Sequence, residues 1–224
     1  MNWMAIWVTC KLATLTSLTL LIIGLPIAYW LTYSKWRWKF LIESIVALPL
    51  VLPPTVLGFY ILIAIGPHSP IGRFYTDLVG HPLPFSFQGL LLASILYSLP
   101  FAVQPFATAF EQVDRKLIEA SWTLGLSKLK TFFTLILPLS TAGLITGVVL
   151  SFAHTLGEFG VVLMVGGNIE GITRTVSIEI YDEVQALNYA AAAKTSALLL
   201  LVSYTVLLLV YAMNRRVWSV WPQK

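Results

Sequence analysis

The side chains best suited to chemistry in this chain are His154 and Glu158, which stand four residues apart. On a helix this spacing puts both on one face, one turn apart, where they could share a metal ion or pass a proton. Two ligands do not complete a zinc site, and the chain has neither an H-E-x-x-H motif nor a G-x-S-x-G nucleophile motif. We therefore predict no catalytic residue, no metal and no cofactor. An intramembrane enzyme using this pair remains the alternative from a different functional class.

A nucleotide-hydrolysing site is also missing. No Gly-Lys dipeptide occurs in the 224 residues, so the chain lacks the phosphate-binding loop G-x-x-x-x-G-K-[ST]. If its function is driven by ATP, a separate subunit must bind and hydrolyse the nucleotide. Cys10 is the single cysteine, which excludes a disulfide within the chain.

The elements that must position these residues are membrane helices. The chain is 58% hydrophobic and 11% charged, with a mean hydropathy of +0.82, and a soluble domain of this size cannot bury so much apolar surface. Crossing the roughly 30 Å bilayer core takes about 20 helical residues. We predict an all-α integral membrane protein with one domain, residues 1–224. Its five transmembrane helices are expected at residues 12–33, 40–66, 89–110, 141–165 and 190–213.

The positive charges predict the orientation. Ten of the 14 Lys and Arg fall in three short stretches: Lys35, Arg37 and Lys39; Arg115, Lys116, Lys128 and Lys130; Arg215, Arg216 and Lys224. Cytoplasmic loops are rich in these residues, so we place all three stretches in the cytoplasm, the N-terminus in the periplasm and the C-terminus in the cytoplasm. The same placement explains the net charge of +4 without nucleic acid as a partner. We expect no cleaved signal peptide.

Residues 172–187 are not expected to cross the membrane, because this segment would bring four charged side chains into lipid. Ile172, Val176, Ile180 and Val184 recur every four residues in it. That spacing predicts an amphipathic helix lying at the outer membrane surface with these four residues on its apolar face.

Prolines interrupt two of the predicted spans. Pro49, Pro53 and Pro54 lie in the second and Pro100 and Pro105 in the third. Broken backbone is tolerated inside lipid only where it is buried in protein or lines a water-filled cavity. We interpret residues 52–55 and 99–105 as hinges of a gated pathway, with Pro53 and Pro54 as gate residues. Ordinary kinked packing is the alternative.

The fourth span carries small residues at every fourth position: Gly143, Gly147, Ser151 and Thr155. Such a stripe lets helix backbones approach closely, so a helix–helix or subunit interface is the favoured interpretation. The alternative is that the hydroxyls of Ser151 and Thr155 line a polar route.

Two charged residues are further candidates for the pathway. Glu158 is interpreted as a gating carboxylate that pairs across a subunit interface or with Arg174, because it would repel an anionic substrate. Arg174 could help guide an anion, but pairing with Glu170 or snorkelling to water is the favoured interpretation for it.

Residues 111–138 form a polar loop between the third and fourth spans. Asp114 is suited to cap a helix over residues 116–124, and Gly125 to end that helix in the left-handed conformation. Ser127 is suited to cap a second short helix, which Pro138 ends. Two short helices in a basic loop predict a docking surface for a soluble partner.

This loop resembles the signature cytoplasmic loop of bacterial ABC-importer permeases: E-A-A, three residues, G, nine residues, I-x-L-P. Glu119, Ala120, Gly125, Leu137 and Pro138 match, whereas Ser121 replaces the third-position Ala and Leu135 replaces Ile. The run 48–54 followed by Gly58, the element 156–160 and the triplet 173–175 are similar to the permease subunit of molybdate importers. Sulfate permeases share the Gly-Glu-Phe-Gly element at 157–160.

The resemblance implies a type I importer permease in the bacterial inner membrane, working as a homodimer with the pathway at its interface. Cytoplasmic ATP-binding subunits would dock on the coupling loop, and a periplasmic molybdate-binding protein would deliver the oxyanion. The residues implied in ATPase coupling are Glu119, Ala120, Ser121, Gly125, Leu137 and Pro138. The same role for sulfate, thiosulfate or tungstate is the alternative.

Overall fold

The computed structural model describes residues 2–219, with side chains up to residue 212, and every regular element in that part is helical. In chain order the helices are α1 (Trp3–Tyr33), α2 (Lys39–Ala47), α3 (Pro54–Ile65), α4 (Pro70–Val79), α5 (Phe87–Glu111), α6 (Arg115–Thr123), α7 (Lys128–Thr131), α8 (Leu137–Leu139), α9 (Thr141–Gly157), α10 (Gly160–Gly166), α11 (Val176–Gln185) and α12 (Tyr189–Ser219). A 3-10 turn over Leu48–Leu50 extends α2, and a π-helical turn over Phe132–Ile136 joins α7 to α8.

Three helices, α1, α5 and α12, are each long and apolar enough to cross a membrane. Two further segments meet the same test only as bent pairs, with a bend of 113° between Lys39–Leu50 and Pro54–Ile65 and of 73° between Lys128–Leu139 and Thr141–Gly157. The described part therefore accommodates up to five spans.

Contacts between the long helices fix their directions. Helices α1 and α5 run parallel, because Leu12 packs in one cluster with Leu90 while the Tyr33 hydroxyl donates to the carbonyl oxygen of Phe110 at 2.9 Å. Helix α9 runs antiparallel to α5, since Gly143 lies against Ala109 and the Thr155 hydroxyl is hydrogen-bonded to Ser98.

The bent second segment also joins the two ends of the molecule. It begins beside the end of α1, and its last residue, Ile65, packs with Leu83 just before α5. The chain thus alternates between ends, with the loops 34–38 and 112–140 at one end, called here the basic end, and the loops 66–86 and 158–188 at the opposite end.

The core lies where α1, α5 and α9 meet, around fully buried Leu20, Val103, Phe106 and Phe110. Since lipid is as apolar as these side chains, close packing rather than exclusion from water holds the helices together. Helix α12 packs against α9 and α11, and most of its surface is exposed.

Two predicted spans have different bounds in the structure. The first helix begins at Trp3 rather than at residue 12, because Lys11 places its ammonium 4.3 Å from the centre of the Phe87 ring and does not end the helix. The fourth predicted span, 141–165, is wrong as a single helix. Glu158 takes an extended conformation (φ −66°, ψ 131°), which ends α9 at Gly157 before α10 begins at Gly160.

The two predicted hinges have opposite outcomes. The break at 52–55 is confirmed, because Pro53 is extended (φ −54°, ψ 136°) and Pro54 starts a new helix. No break occurs at 99–105, where α5 continues through Pro100 and Pro105. Contacts with both α1 and α9 stabilise the helical backbone of α5 at these prolines.

The prediction of a helix within 172–187 is confirmed for Val176–Gln185, but its predicted apolar face is wrong. The buried residues are Val176, Ile178 and Glu179, and Ile172 and Val184 are exposed. Tertiary contacts decide this face, since the Val176 amide donates to the Thr9 hydroxyl oxygen at 2.9 Å and the Asn2 amide to Glu179 Oε1 at 3.0 Å.

Candidate functional site

The polar loop 111–138, called here the coupling loop, folds by local rules. Asp114 Oδ1 accepts a hydrogen bond from the Lys116 amide at 2.9 Å, which caps α6. Gly125 ends that helix with φ +83°, a conformation that side-chain-bearing residues rarely adopt, and Ser127 Oγ accepts from the Lys130 amide to cap α7. All three local predictions for this loop are confirmed.

Helix α6 is attached to the protein body through one side chain and one hydrogen-bond pair. Ile118 is buried in the core with Phe110 and Ile136. The Ser121 hydroxyl donates to the Ile118 carbonyl at 2.7 Å and is hydrogen-bonded to the buried Thr131 hydroxyl at 2.9 Å. The serine that departs from the family pattern therefore ties α6 to α7.

Much of α6 and of the turn that follows it is exposed. Glu119 and Ala120 are exposed, and Leu124 and Leu129 expose 81% and 70% of their surface. These two leucines lie outside the predicted spans, and exposed apolar surface of this kind is typical of a protein contact.

From α7 the chain returns to the membrane helices through the π-helical turn and α8, where Leu137 is half-buried and Pro138 exposed. The 73° bend before α9 follows at once. The coupling loop is thus joined to the start of α9 through one short helical connection.

Two of the three basic stretches meet beside this loop. A cavity of about 720 Å³ between the end of α1 and α6 is lined by Tyr33, Lys35, Arg115, Glu119 and Lys128, among others. The prediction that these stretches share one side is confirmed. The third stretch lies outside the described side chains, with Arg215 and Arg216 in the backbone of α12 and Lys224 beyond the described residues.

A second cavity, of about 610 Å³ and called here the gate cavity, joins the two breaks in the membrane segments. Its walls are Pro54, Thr55, Tyr97, Ala153, His154, Gly157, Glu158, Phe159 and Gly160. Gly160 packs directly under Pro54, since a Cβ at Gly160 would lie 2.7 Å from Pro54 Cβ. The structure therefore brings the predicted gate residues Pro54 and Glu158 together, with Pro53 capping the helix that Pro54 begins.

Glu158 is unusual within this cavity. Only 4% of its surface is exposed, and neither carboxylate oxygen has a hydrogen bond of acceptable geometry within residues 2–219. The Ser94 hydroxyl interacts with the carboxyl but is likewise without a proper hydrogen bond. A buried carboxyl without partners costs several kcal/mol by order of magnitude, so this arrangement is held by the surrounding fold.

Arg174 does not pair with Glu158. Its guanidinium lies 3.8 Å from Asp182 Oδ2, and its Nε donates to Asn168 Oδ1 at 2.6 Å. Glu170, the other predicted partner, instead accepts from the Asn2 side-chain amide at 3.0 Å. Arg174 thus belongs to a polar cluster at the opposite end, apart from the gate cavity.

His154 is held by aromatic and hydroxyl groups of α5. Its ring stacks on Phe101 with centroids 3.9 Å apart, and its Nδ1 is hydrogen-bonded to the Ser98 hydroxyl at 2.9 Å. No group of three His, Cys, Asp or Glu lies together in the described residues. These contacts pack the imidazole of His154 on α9 against the Phe101 ring and the Ser98 hydroxyl of α5.

Sequence reasoning missed Tyr97, Ser98 and Phe101 as neighbours of this site. Their types belong to no motif, and only the small polar pair Ser94 and Ser98, one turn apart on α5, was a usable signal.

Ser151 and Thr155 lie in the packing between α5 and α9. Their hydroxyls donate to the carbonyl oxygens of Val148 and Ser151, both at 2.9 Å, and neither residue lines the gate cavity. A Cβ at Gly147 would lie 2.5 Å from Phe106 Cε1. The interpretation of the small-residue stripe as a helix–helix interface is confirmed.

Comparisons with known proteins agree with this architecture. A family model described as binding-protein-dependent transport system inner membrane component matches residues 21–219. The chain is 50% identical over 211 residues to the molybdenum transport system permease protein ModB of Azotobacter vinelandii, covering 94% of this chain and 93% of that one. It is 39% identical to the Escherichia coli K12 protein of the same name over 184 residues, 82% of this chain and 80% of that one.

One solved structure with a similar fold comes from the MetNI methionine ABC transporter in inward-facing conformations. The TM-score is 0.72 at 18% sequence identity, over 97% of this chain and 95% of the other. With the family match covering most of the sequence, the chain belongs to the binding-protein-dependent transport system inner membrane components.

Proposed function

We propose that this chain is the membrane-spanning permease of an ATP-driven molybdate importer. The coupling loop carries this proposal, because it presents an exposed helix and apolar patch in a chain without a phosphate-binding loop. A separate ATPase is the partner that would bind such a surface. Molybdate is the substrate because the 50% identical relative is named for molybdenum transport.

In this proposal two copies of the chain enclose the pathway, and two ATP-binding subunits dock at the basic end. The clustering of Lys35, Arg115 and Lys128 there makes it the cytoplasmic end, with the N-terminus in the periplasm and the C-terminus in the cytoplasm. A periplasmic binding protein delivers the oxyanion to the opposite end. The enzymatic step belongs to the ATPase, and this subunit provides the path.

Closure of the ATPases would move α6, and the route of that movement follows the contacts. Ile118 carries it into the core, and the α7–α8 connection carries it to the start of α9. At the far end of α9 lies the gate cavity, where two backbone breaks face each other at Pro54 and Glu158. Such a pair of breaks suits an element with two discrete arrangements, whose balance is set by a ligand bound elsewhere.

Glu158 contributes to this switch because its buried carboxyl interacts with the Ser94 hydroxyl but has no hydrogen bond of acceptable geometry among the described residues. A conformation that gives this carboxyl water or a well-placed donor gains a hydrogen bond, which favours a rearrangement of the cavity. We place the gate at Pro53, Pro54 and Glu158. The gate does not include Ser151 and Thr155, because their hydroxyls donate to backbone carbonyl oxygens within the packed helix α9. It does not include Arg174, because Asp182 offsets the charge of that side chain.

The coupling role is tested with two matched glycines. Gly125 and Gly80 both end a helix with positive φ, +83° and +85°, and a Cβ added at either would meet no atom within 4 Å. Proline fixes φ near −65°, so it disrupts both turns alike, but only Gly125 lies in the coupling loop.

Labelled molybdate uptake is measured in cells that lack their own molybdate permease and express this chain with its ATPase and binding protein. We expect Gly125→Pro to lower uptake about tenfold or more while ATP hydrolysis persists, and Gly80→Pro to keep most of the uptake. Unchanged uptake in Gly125→Pro, with the protein present in the membrane, would refute the coupling assignment.

The substrate is tested separately by competition. Excess unlabelled tungstate, a near twin of molybdate in size and charge, should suppress uptake, and sulfate at the same excess should not. Equal suppression by sulfate would assign the same machine to sulfate or thiosulfate, in line with the Gly-Glu-Phe-Gly element shared with that group.

A further inference from the structure

Helix α5 carries polar side chains on an exposed face although it spans the membrane. Gln104, Thr108 and Glu111 lie along this face. Together with half-buried Tyr97 and Phe101 they follow spacings of four and three residues, which place them on one face of a helix. These five residues are called here the α5 stripe.

The other faces of α5 have evident neighbours. Val103 and Phe106 pack on α1 at Gly24, and Phe106 and Ala109 pack on α9. Leu92 and Leu96 are exposed too, but they lie about a third of a turn away from the stripe and have the apolar character of a lipid-facing surface.

Lipid is a poor environment for the stripe. The side chains of Gln104 and Thr108 have no hydrogen-bond partner within the part of the chain that the structure describes. An amide and a hydroxyl facing hydrocarbon without partners are unfavourable, and polar groups inside a membrane protein face a cavity or another helix. The stripe therefore needs water or a polar solute in front of it.

Cavities lie at both ends of the stripe. Tyr97 is a wall of the gate cavity. Gln104, Thr108 and Glu111 are walls of a further cavity of about 440 Å³ between α2 and α5, whose other walls include Glu43 and Val46. The stripe is the surface that leads from the first cavity to the second, at the basic end.

We propose that the α5 stripe lines the route by which an oxyanion passes from the gate cavity to the cytoplasmic end, with a second copy of the chain on the other side of a water-filled path. This inference rests on the proposed function and adds the surface that the solute follows. Gln104 and Thr108 offer N–H and O–H donors without a net charge. They can donate hydrogen bonds to a tetrahedral oxyanion in place of water without binding it tightly. Passage requires such weak binding.

The mouth of the route favours release. It carries the carboxylates of Glu43 and Glu111, and only Glu43 has a cation beside it, Lys39 at 3.6 Å, among the described residues. The remaining negative charge of Glu111 disfavours retention of an anion at the exit.

The test uses thiol accessibility in the assembled transporter. Cys10, the single native cysteine and an exposed one, is first replaced by Ala. Gln104→Cys and Thr108→Cys are the test variants, and Leu92→Cys and Leu96→Cys are matched controls on the same helix. Membrane vesicles are treated with a charged methanethiosulfonate reagent, which reacts only with the water-exposed thiolate.

We expect the Gln104→Cys and Thr108→Cys thiols to react about tenfold faster or more than the two controls, and molybdate to slow the reaction. Reaction rates equal to those of the controls, both with and without ATP, would overturn the proposal. Thr108→Cys is nearly isosteric, so it serves as the second test if the larger change at Gln104 disturbs folding. Absence of molybdate uptake with the unaltered chain, expressed with its ATPase and binding protein, would instead count against the proposed function, which separates the two failures.

Discussion

The coupling loop takes its shape from one continuous stretch, residues 111–138, whereas the gate cavity takes its walls from three separate segments around Pro54, Tyr97 and Glu158. In the loop, nearby side chains satisfy the helix ends, as Asp114 and Ser127 do. In the cavity, buried Glu158 has no hydrogen bond of acceptable geometry among the described residues, although the Ser94 hydroxyl interacts with its carboxyl.

This difference separates two kinds of functional surface. In the proposed function, the loop presents its exposed residues to the ATPase and serves as a contact surface. The cavity, which holds a buried carboxyl without a proper hydrogen bond, serves as the part that rearranges. A site that works by switching retains features that do not maximise stability.

Glu158→Leu is the strongest test of this difference between the loop and the cavity. Removing a buried carboxyl without partners and filling its place with an apolar side chain should raise the unfolding temperature in detergent. The same change should lower molybdate uptake about tenfold or more, because it removes the buried carboxyl whose unmet hydrogen bonding favours rearrangement of the cavity. Thermal unfolding is measured on the purified variant in detergent, and uptake is measured in cells that express the same variant.

Glu179→Leu is the control for that experiment. Glu179 is also buried, but its Oε1 accepts a hydrogen bond from the Asn2 amide, so this variant should lower the unfolding temperature. A destabilised Glu158→Leu protein would show that the carboxyl has a stabilising partner in the membrane and would remove the contrast between cavity and loop.

A change in the α5–α9 packing, which lies between the coupling loop and the gate cavity, should have a smaller effect and is measured as protein stability. Gly147→Ala would force Phe106 to move and should destabilise the protein by about 1–3 kcal/mol. Gly157→Ala on the same helix meets open space and should be neutral or stabilising by up to about 1 kcal/mol, because alanine favours helix. Denaturation in detergent measures both, and equal effects would contradict the close α5–α9 packing.

The smallest effect is expected for a conservative change at Ser121 in the coupling loop. Ser121→Ala restores the residue of the family pattern and removes the hydrogen bond to Thr131, at a cost of about 1 kcal/mol. Uptake should change by less than about twofold, since the exposed docking surface is untouched. Thr123→Ala, which removes an exposed hydroxyl bonded only to the Glu119 carbonyl among the described residues, is the control. Uptake lost in Ser121→Ala alone would show that the α6–α7 connection transmits motion and does more than hold the loop.

The predictions from sequence succeeded where one local signal was enough. Asp114, Gly125 and Ser127 each act within a few residues along the chain, so their caps and turn were foreseeable. Pro53 and Pro54 broke the second span as predicted, because an adjacent proline pair removes two backbone donors at once.

They failed where distant segments decide the outcome. The fourth span was predicted to continue to residue 165, although Glu158 leaves the helix. Arg174 was expected to pair with Glu158 or Glu170, but α11 places Asp182 beside it. The buried face of α11 is set by Thr9 and Asn2, which lie more than 160 residues earlier in the chain.

The sequence by itself determined that the chain spans a membrane, that its basic loops share one side and that its coupling loop has two short helices around Gly125. Hydropathy, charge and capping are properties of short stretches, and they survive whatever the rest of the chain does. Only the tertiary structure decided that Pro54 meets Glu158, that Ser151 and Thr155 are buried between helices, and that α5 shows a polar face to open space. Which faces of the helices meet depends on close packing between segments far apart in the chain, and no local pattern encodes that choice.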